Sequence, residues 1–103
     1  MKRICLLLMA LFAVSAYAEN ASWLRYPSIS PDGKSVAFSY KGDIYIVDSE
    51  GGEARQLTSN TAYDYSPVWS PDGKTLAFAS DRYGKFDIYT IPVSGGVPFR
   101  VTT

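Results

Sequence analysis

The sequence predicts an all-β fold made of two consecutive four-stranded antiparallel sheets. Three observations lead there. The stretch Val68-Trp69-Ser70-Pro71-Asp72-Gly73-Lys74-Thr75-Leu76-Ala77-Phe78 has a counterpart forty residues earlier, Ser28-Ile29-Ser30-Pro31-Asp32-Gly33-Lys34-Ser35-Val36-Ala37-Phe38. Each copy continues into Asp-Ile-Tyr, a Gly-Gly pair, and a Leu-Thr or Val-Thr ending. Short apolar runs alternate with turn residues throughout, and nothing after residue 18 reads as a helix. Four short strands in a repeat of about 40 to 45 residues form a unit that cannot bury its own faces, the mark of a stacked array. The architecture implied is a pair of blades from an incomplete β-propeller, six- or seven-bladed when whole.

The elements follow in order. Lys2 and Arg3, the apolar run Ile4 to Val14 and the small-residue site Ala16-Tyr17-Ala18 predict a secretory signal peptide over residues 1–18, cut after Ala18. Its eleven apolar residues are too few to span a bilayer, which takes about 20. Cys5 precedes the run, which argues against a lipoprotein signal. Residues 19–25 lead in, with Trp23 and Leu24 available to dock on a sheet. The first blade covers 26–58. Tyr26 to Ser30 is a strand. Ser30-Pro31-Asp32-Gly33 is a tight turn, with proline setting φ and glycine tolerating a positive φ. Lys34 to Tyr40 is a strand with Val36 and Phe38 on one face and Ala37 on the other. Lys41-Gly42 turns the chain into Asp43 to Asp48, whose run Ile44-Tyr45-Ile46-Val47 predicts cover on both faces. Glu53 to Thr58 is a polar outer strand, as suits an edge. Residues 59–64 link to the second blade, 65–103. It repeats the strands at Tyr65–Ser70, Lys74–Ser80, Phe86–Pro92 and Pro98–Thr102. The offset is 40 at the Pro-Asp-Gly turns and 44 from Asp43/Asp87 onward. The extra four residues fall in Asp81-Arg82-Tyr83-Gly84-Lys85, a loop between the second and third strands.

Composition excludes several functions. The chain of 103 residues has ten basic and ten acidic side chains, no histidine and one cysteine, Cys5. Without the leader it carries no cysteine, which suits a periplasmic or secreted protein that does not rely on disulfides. No basic patch points to nucleic acid. Asn20-Ala21-Ser22 matches the glycosylation sequon by chance. None of the serines sits in G-x-S-x-G, and the base that serine catalysis usually needs, histidine, is absent. No Cys or His cluster suits zinc, and no G-x-x-x-x-G-K-S/T loop suits phosphate. The expectation is therefore no catalytic, cofactor-binding or metal-binding residue here, and no cofactor.

The carboxylates and rings that invite a functional reading have a structural one. Asp32 and Asp72 are read as bonding their own turn backbones. Asp43 and Asp87 recur at equivalent positions, which favours a structural hydrogen bond over a single active site. Asp81, Arg82 and Tyr83 form a loop unique to one copy. A ligand contact is possible there, but an Asp–Arg surface pair or a blade-to-blade bond is the preferred reading. Tyr40, Tyr45, Tyr65, Trp69 and Tyr89 are read as core packing rather than a sugar or peptide platform.

The pattern P-x-W-S-P-D-G-K-x-I/L-A-F-x-S-D-R-x-G-x-x-D-I-Y, then G-G, then L-T, resembles the propeller repeat of TolB proteins and of tricorn-type peptidases. The second copy matches nearly throughout, from Pro67 to Thr102. The first has Ile29 where tryptophan is usual and lacks the S-D-R-x-G insert. In TolB a separate domain precedes the propeller, whereas here the first blade begins soon after the leader. The resemblance therefore implies the N-terminal propeller of an exported, tricorn-like serine peptidase, acting in substrate gating or protein interaction. It also implies that the catalytic residues lie in a later core. The partners implied are the remainder of the propeller and that downstream core, or copies of this chain, with a peptide or protein ligand and no nucleic acid. A non-catalytic binding module assembled from copies, and a TolB-like envelope scaffold, are the alternatives. A pair of blades leaving about 400 Å² of apolar face wet forgoes roughly 10 kcal/mol of burial at ~25 cal/mol/Å². That matches the whole stability of an ordinary domain, so a longer parent or self-assembly is expected.

Overall fold

A computed structural model describes residues 24–102. The expected signal peptide, and Trp23 of the lead-in, lie outside the described residues. Two sheets of four strands follow one another, each in simple sequential order and wholly antiparallel. The first holds β1 (Arg25–Ile29), β2 (Ser35–Tyr40), β3 (Asp43–Asp48) and β4 (Arg55–Gln56). The second holds β5 (Asp64–Trp69), β6 (Thr75–Ser80), β7 (Asp87–Pro92) and β8 (Phe99–Arg100). This is the predicted all-β architecture of two antiparallel blades, left unclosed. The outer strands are shorter than the sequence suggests. β4 and β8 keep two residues each, and beyond them the amides of Leu57 and Val101 still reach the carbonyls of Ile44 and Ile88. Short edge strands of this kind also limit unwanted strand pairing.

The two Pro-Asp-Gly turns are built identically. Ser30 and Ser70 each donate a hydroxyl to the aspartate two residues on, at 2.6 Å, and accept the amide of Ser35 or Thr75 at 3.0 Å. Asp32 and Asp72 accept the amides of Lys34 and Lys74. Each turn is thus closed by a serine–aspartate pair, the structural role expected of these carboxylates. One irregularity escaped the sequence reading. β1 and β5 each carry a bulge, with Tyr26 and Ser66 in the left-handed region at φ 56°. A bulge bends the inner strand and increases its twist.

β2 turns into β3 through Lys41 (φ 50°) and Gly42 (φ 84°). Positive φ at both central residues matches the right-handed twist of the flanking strands. A Cβ at Gly42 would sit 3.5 Å from a ring carbon of Tyr63, ordinary contact. Its cost is therefore backbone strain. Gly42→Ala is expected to destabilise by about 1–2 kcal/mol, measured as a shift of the urea midpoint at unchanged m-value.

The core lies between the sheets. Ala37, Ile44 and Ile46 of the first sheet meet Leu76, Phe78, Tyr89 and Ile91 of the second, with Leu57, Trp69 and Val93 at its margin. Val36, Phe38 and Val47 form a second cluster on the opposite face of the first sheet, with Leu24 and Ile29 against it. β3 is thus buried on both faces, which explains its unbroken apolar run.

Candidate functional site

The side chains capable of chemistry collect along the seam between the sheets and at its two ends. The seam is held by directional bonds as well as by packing. The indole Nε1 of Trp69 donates to the carbonyl of Ser28 at 2.9 Å, and the Ser39 hydroxyl donates to the carbonyl of Asp64 at 2.8 Å. The Asp64 amide donates to the Gly42 carbonyl at 2.8 Å, and Arg55 donates to the Val93 carbonyl at 2.7 Å. The Ser39 bond satisfies polar groups that the packed faces would otherwise strand, whereas the Arg55 bond lies at the exposed margin. Trp69 is therefore a joint residue, while Ile29, at the same position of the first sheet, packs against Val36, Phe38 and Val47 on the opposite face.

At one end of the seam the two Pro-Asp-Gly turns frame an open cleft of about 380 Å³, lined by Ser30, Asp32, Trp69, Pro71, Asp72 and Val93 among others. Hydrogen bonds from Ser30 and then Lys34 hold Asp32 below the ordinary carboxylate value, and Ser70 and Lys74 do the same for Asp72. Both carboxylates are thus ionised acceptors committed to their turns.

At the other end lies a polar cleft of about 320 Å³, lined by Asn60, Thr61, Ala62, Asp81 and Arg82. The Asp81–Arg82 pairing expected from sequence is not formed. Arg82 reaches back to Asp64, bonding both carboxylate oxygens at 3.2 and 3.1 Å, and donates its Nε to Ser80. Its guanidinium also lies over the rings of Tyr89 (5.0 Å) and Phe78 (5.6 Å). Asp81 instead accepts the amide of Tyr63 at 2.8 Å. The reason is burial. Asp64 is fully buried, and a buried carboxylate needs a cation more than Asp81 does. The insert is thus a clamp within the second blade that also fixes the linker. Tyr83, at its tip, stays exposed.

Asp87 pairs with Arg100 and accepts from Thr102, whose hydroxyl accepts the Ile88 amide. Thr58 plays the same part for Ile44 in the first sheet, and Gln56 donates to Asp43. Asp43 ties the third strand of its sheet to the outer one through Gln56, and Asp87 does so through Arg100 and, beyond that strand, Thr102. Burial pushes Asp43 up, opposed by the Asn60 amide. Arg100 above all, then Thr102, hold Asp87 below its ordinary value of 3.8. A depressed carboxylate contributes stability above its unfolded value and loses it as pH falls through the folded one. Asp87→Asn is expected to flatten the acid limb of a stability–pH curve below about pH 4, read from urea midpoints. An unchanged acid limb would remove Asp87 from the account.

Of the rings, Tyr89 is core and Tyr45 stacks on Phe38 at 5.7 Å with Tyr40 edge-on at 5.8 Å. Tyr65 joins Tyr26, Tyr63 and Phe86 at 5.2–5.5 Å in a partly exposed cluster. Among the described residues no three His, Cys, Asp or Glu side chains are grouped to hold a metal.

Residues 21–103 match the model of the tricorn protease N-terminal beta propeller domain. The chain belongs to that family. Among curated relatives, an uncharacterised protein of Agrobacterium fabrum is 40% identical over 72% of this chain. A tricorn protease homolog of Streptomyces coelicolor is 33% identical over 79%. This chain spans 27% and 7% of those two proteins. Among solved structures, the putative TolB from Agrobacterium tumefaciens superposes with TM-score 0.73 at 32% identity, covering 78% of this chain and 30% of that one. The tricorn protease itself superposes at TM-score 0.68 with 25% identity, over 80% of this chain and 8% of that one. The tricorn propeller family thus supplies the frame for the seam. Its blades are those the repeat predicts, with the seam tryptophan and the S-D-R insert both in the second.

Proposed function

We propose that this chain provides the first blades of a propeller in an exported, tricorn-like serine peptidase, where the propeller gates substrate or binds a protein partner. The observation that carries this reading is the match of residues 21–103 to the tricorn N-terminal propeller model. The catalytic serine and its base belong to a core outside this chain, consistent with a sequence that has no histidine. The seam residues then serve the ring's shape, and the clefts at its ends lie where a peptide passes or a partner docks. Export by residues 1–18 is part of the same proposal.

A second reading is an envelope scaffold. The likeness to TolB favours it, since the Acinetobacter baumannii TolB superposes at TM-score 0.70 with 34% identity. The experiment that separates them extends the reading frame past residue 103 and assays the purified product. Peptide hydrolysis abolished by a serine-directed phosphonate supports the peptidase. A longer frame with no hydrolysis and with envelope-protein capture supports the scaffold. A stop codon after Thr103, with a native mass of three chains, would replace both by a self-assembled binding module.

A further inference from the structure

The chain has two Asp-Gly bonds and no Asn-Gly bond, and both Asp-Gly bonds lie in the turns that frame the open cleft, Asp32-Gly33 and Asp72-Gly73. Asp-Gly is the aspartyl bond that rearranges most readily, because glycine has no side chain to shield its nitrogen. That nitrogen attacks the side-chain carboxyl carbon. A C–N bond forms, the carboxyl C–O bond breaks, and the amide proton and carboxyl hydroxyl leave as water. The cyclic imide then takes water back. Opening at one carbonyl returns aspartate, and opening at the other leaves isoaspartate, with the main chain rerouted through the side chain. Nothing is oxidised or reduced, and water is the only co-reactant. These turns cannot avoid the hazard. Both glycines have φ 73°, a region that other residues resist. A Cβ on Gly33 would meet nothing within 4 Å, so conformation and not space demands glycine there. The aspartate before it is needed to accept the amide two residues on. Both aspartates are also exposed to water.

We infer that Asp32-Gly33 and Asp72-Gly73 are latent sites of isoaspartate formation, and that Ser30 and Ser70 guard them. Ring closure needs two movements. The carboxyl carbon must swing onto the glycine nitrogen, and the peptide plane between the two residues must turn its face to meet it. The serine opposes both. Its hydroxyl holds the aspartate Oδ1 at 2.6 Å, and the Lys34 or Lys74 amide holds the same oxygen at 2.9 or 3.0 Å. Its carbonyl takes the glycine N–H at 2.9 Å in each turn, which fixes the peptide plane. The serine is itself anchored. The Ser30 and Ser70 amides donate to the carbonyls of Ser35 and Thr75 at 2.9 and 2.8 Å, and the hydroxyls accept the return amides at 3.0 Å. The bonds that pin each carboxyl also keep it ionised, and a carboxylate resists attack by a nitrogen lone pair far better than the acid does. The two locks differ in depth. Ser30 is 6% exposed, whereas Ser70 is half-buried and its bond to Asp72 lies in the open. Asp72-Gly73 is therefore the less guarded bond. It also lies three residues from Trp69, so rerouting its main chain disturbs the indole bond to Ser28. None of this depends on the function proposed above.

The test ages the full chain in neutral buffer and counts isoaspartate at each turn by peptide mapping, after tagging with a protein isoaspartyl methyltransferase. The folded wild type is expected to form it about tenfold or more slowly than the same chain in urea, at both turns. Ser70→Ala is expected to speed formation at Asp72-Gly73 by about tenfold, the weight of one hydrogen bond to a charged acceptor. Asp32-Gly33 in the same molecule stays at the wild-type rate and serves as the internal standard. In urea the substitution is expected to change neither bond. Ser70→Cys keeps the shape of the side chain with a weaker donor, and its rate at Asp72-Gly73 is expected to fall between the other two. That variant decides the matter where Ser70→Ala loses its β-structure. A folded variant that ages at the wild-type rate overturns the inference. So does an equal rise at both turns in a variant that keeps its β-structure, since the whole chain has then opened and not one lock. A rise that persists in urea also overturns it, because the effect then lies in the local sequence and not in the folded turn.

Discussion

Arg82→Ala is expected to cost about 3–5 kcal/mol, a large share of the roughly 5–15 kcal/mol that holds an ordinary domain together. Asp64 is fully buried and Arg82 is its paired cation. Removing the guanidinium leaves a carboxylate out of water with no counter-charge. It also strips a cation from over Tyr89 and Phe78, worth about 1 kcal/mol more. The effect passes to the seam, because the backbone of Asp64 is bonded to Gly42 and Ser39 of the first sheet. The measurement is urea unfolding of the full chain. A control sets the mechanism apart from lost packing. Adding Asp64→Asn to Arg82→Ala removes the stranded charge and is expected to recover about 1 kcal/mol or more. A double variant as unstable as the sum of the singles would refute the buried-pair account.

The same pair shows where the sequence is legible and where it is not. The offsets of 40 and 44 residues place the inner strands within a residue or two, because equivalent positions in a repeat must do equivalent work. They also point Asp32, Asp72, Asp43 and Asp87 to structure, and each accepts a hydrogen bond from its own turn or outer strand, although one carboxylate oxygen of Asp43 is buried without a partner. An offset cannot say which face of one copy meets which face of the next. Ala37 and Phe38 are both buried, yet only Ala37 faces the joint. Asp64 reads as the polar end of a linker, and Arg82 as the partner of its chain neighbour Asp81. One signal was available. The first copy has Leu24 at the position of Asp64 and also lacks the insert that supplies Arg82. Two charges that are present together and missing together are candidates for a pair. The bulges at Tyr26 and Ser66 gave no such signal, since neither residue type favours the left-handed region they occupy.

Phe78→Ala is expected to destabilise by about 3–5 kcal/mol, and to do so by parting the blades. The ring is 1% exposed in the joint core. It stacks on Tyr89 with centroids 6.0 Å apart and lies beneath Arg82. Truncation loses the burial of the ring, leaves a cavity that two sheets fixed by their own ladders cannot close, and withdraws one support of the Arg82 clamp. Since each kcal/mol shifts the midpoint of a domain this size by about 4–8 °C, a fall of about 12 °C or more is expected. Val97→Ser makes the matching control. That side chain is 87% exposed, and its change is expected to stay within about 0.5 kcal/mol. The sharper readout is hydrogen exchange, since loss of the joint raises exchange at Asp64 and Leu57 before it reaches the β2–β3 ladder. Uniform loss of protection across both sheets would mean that the blades do not part first, and that the seam is no weaker than the sheets it joins.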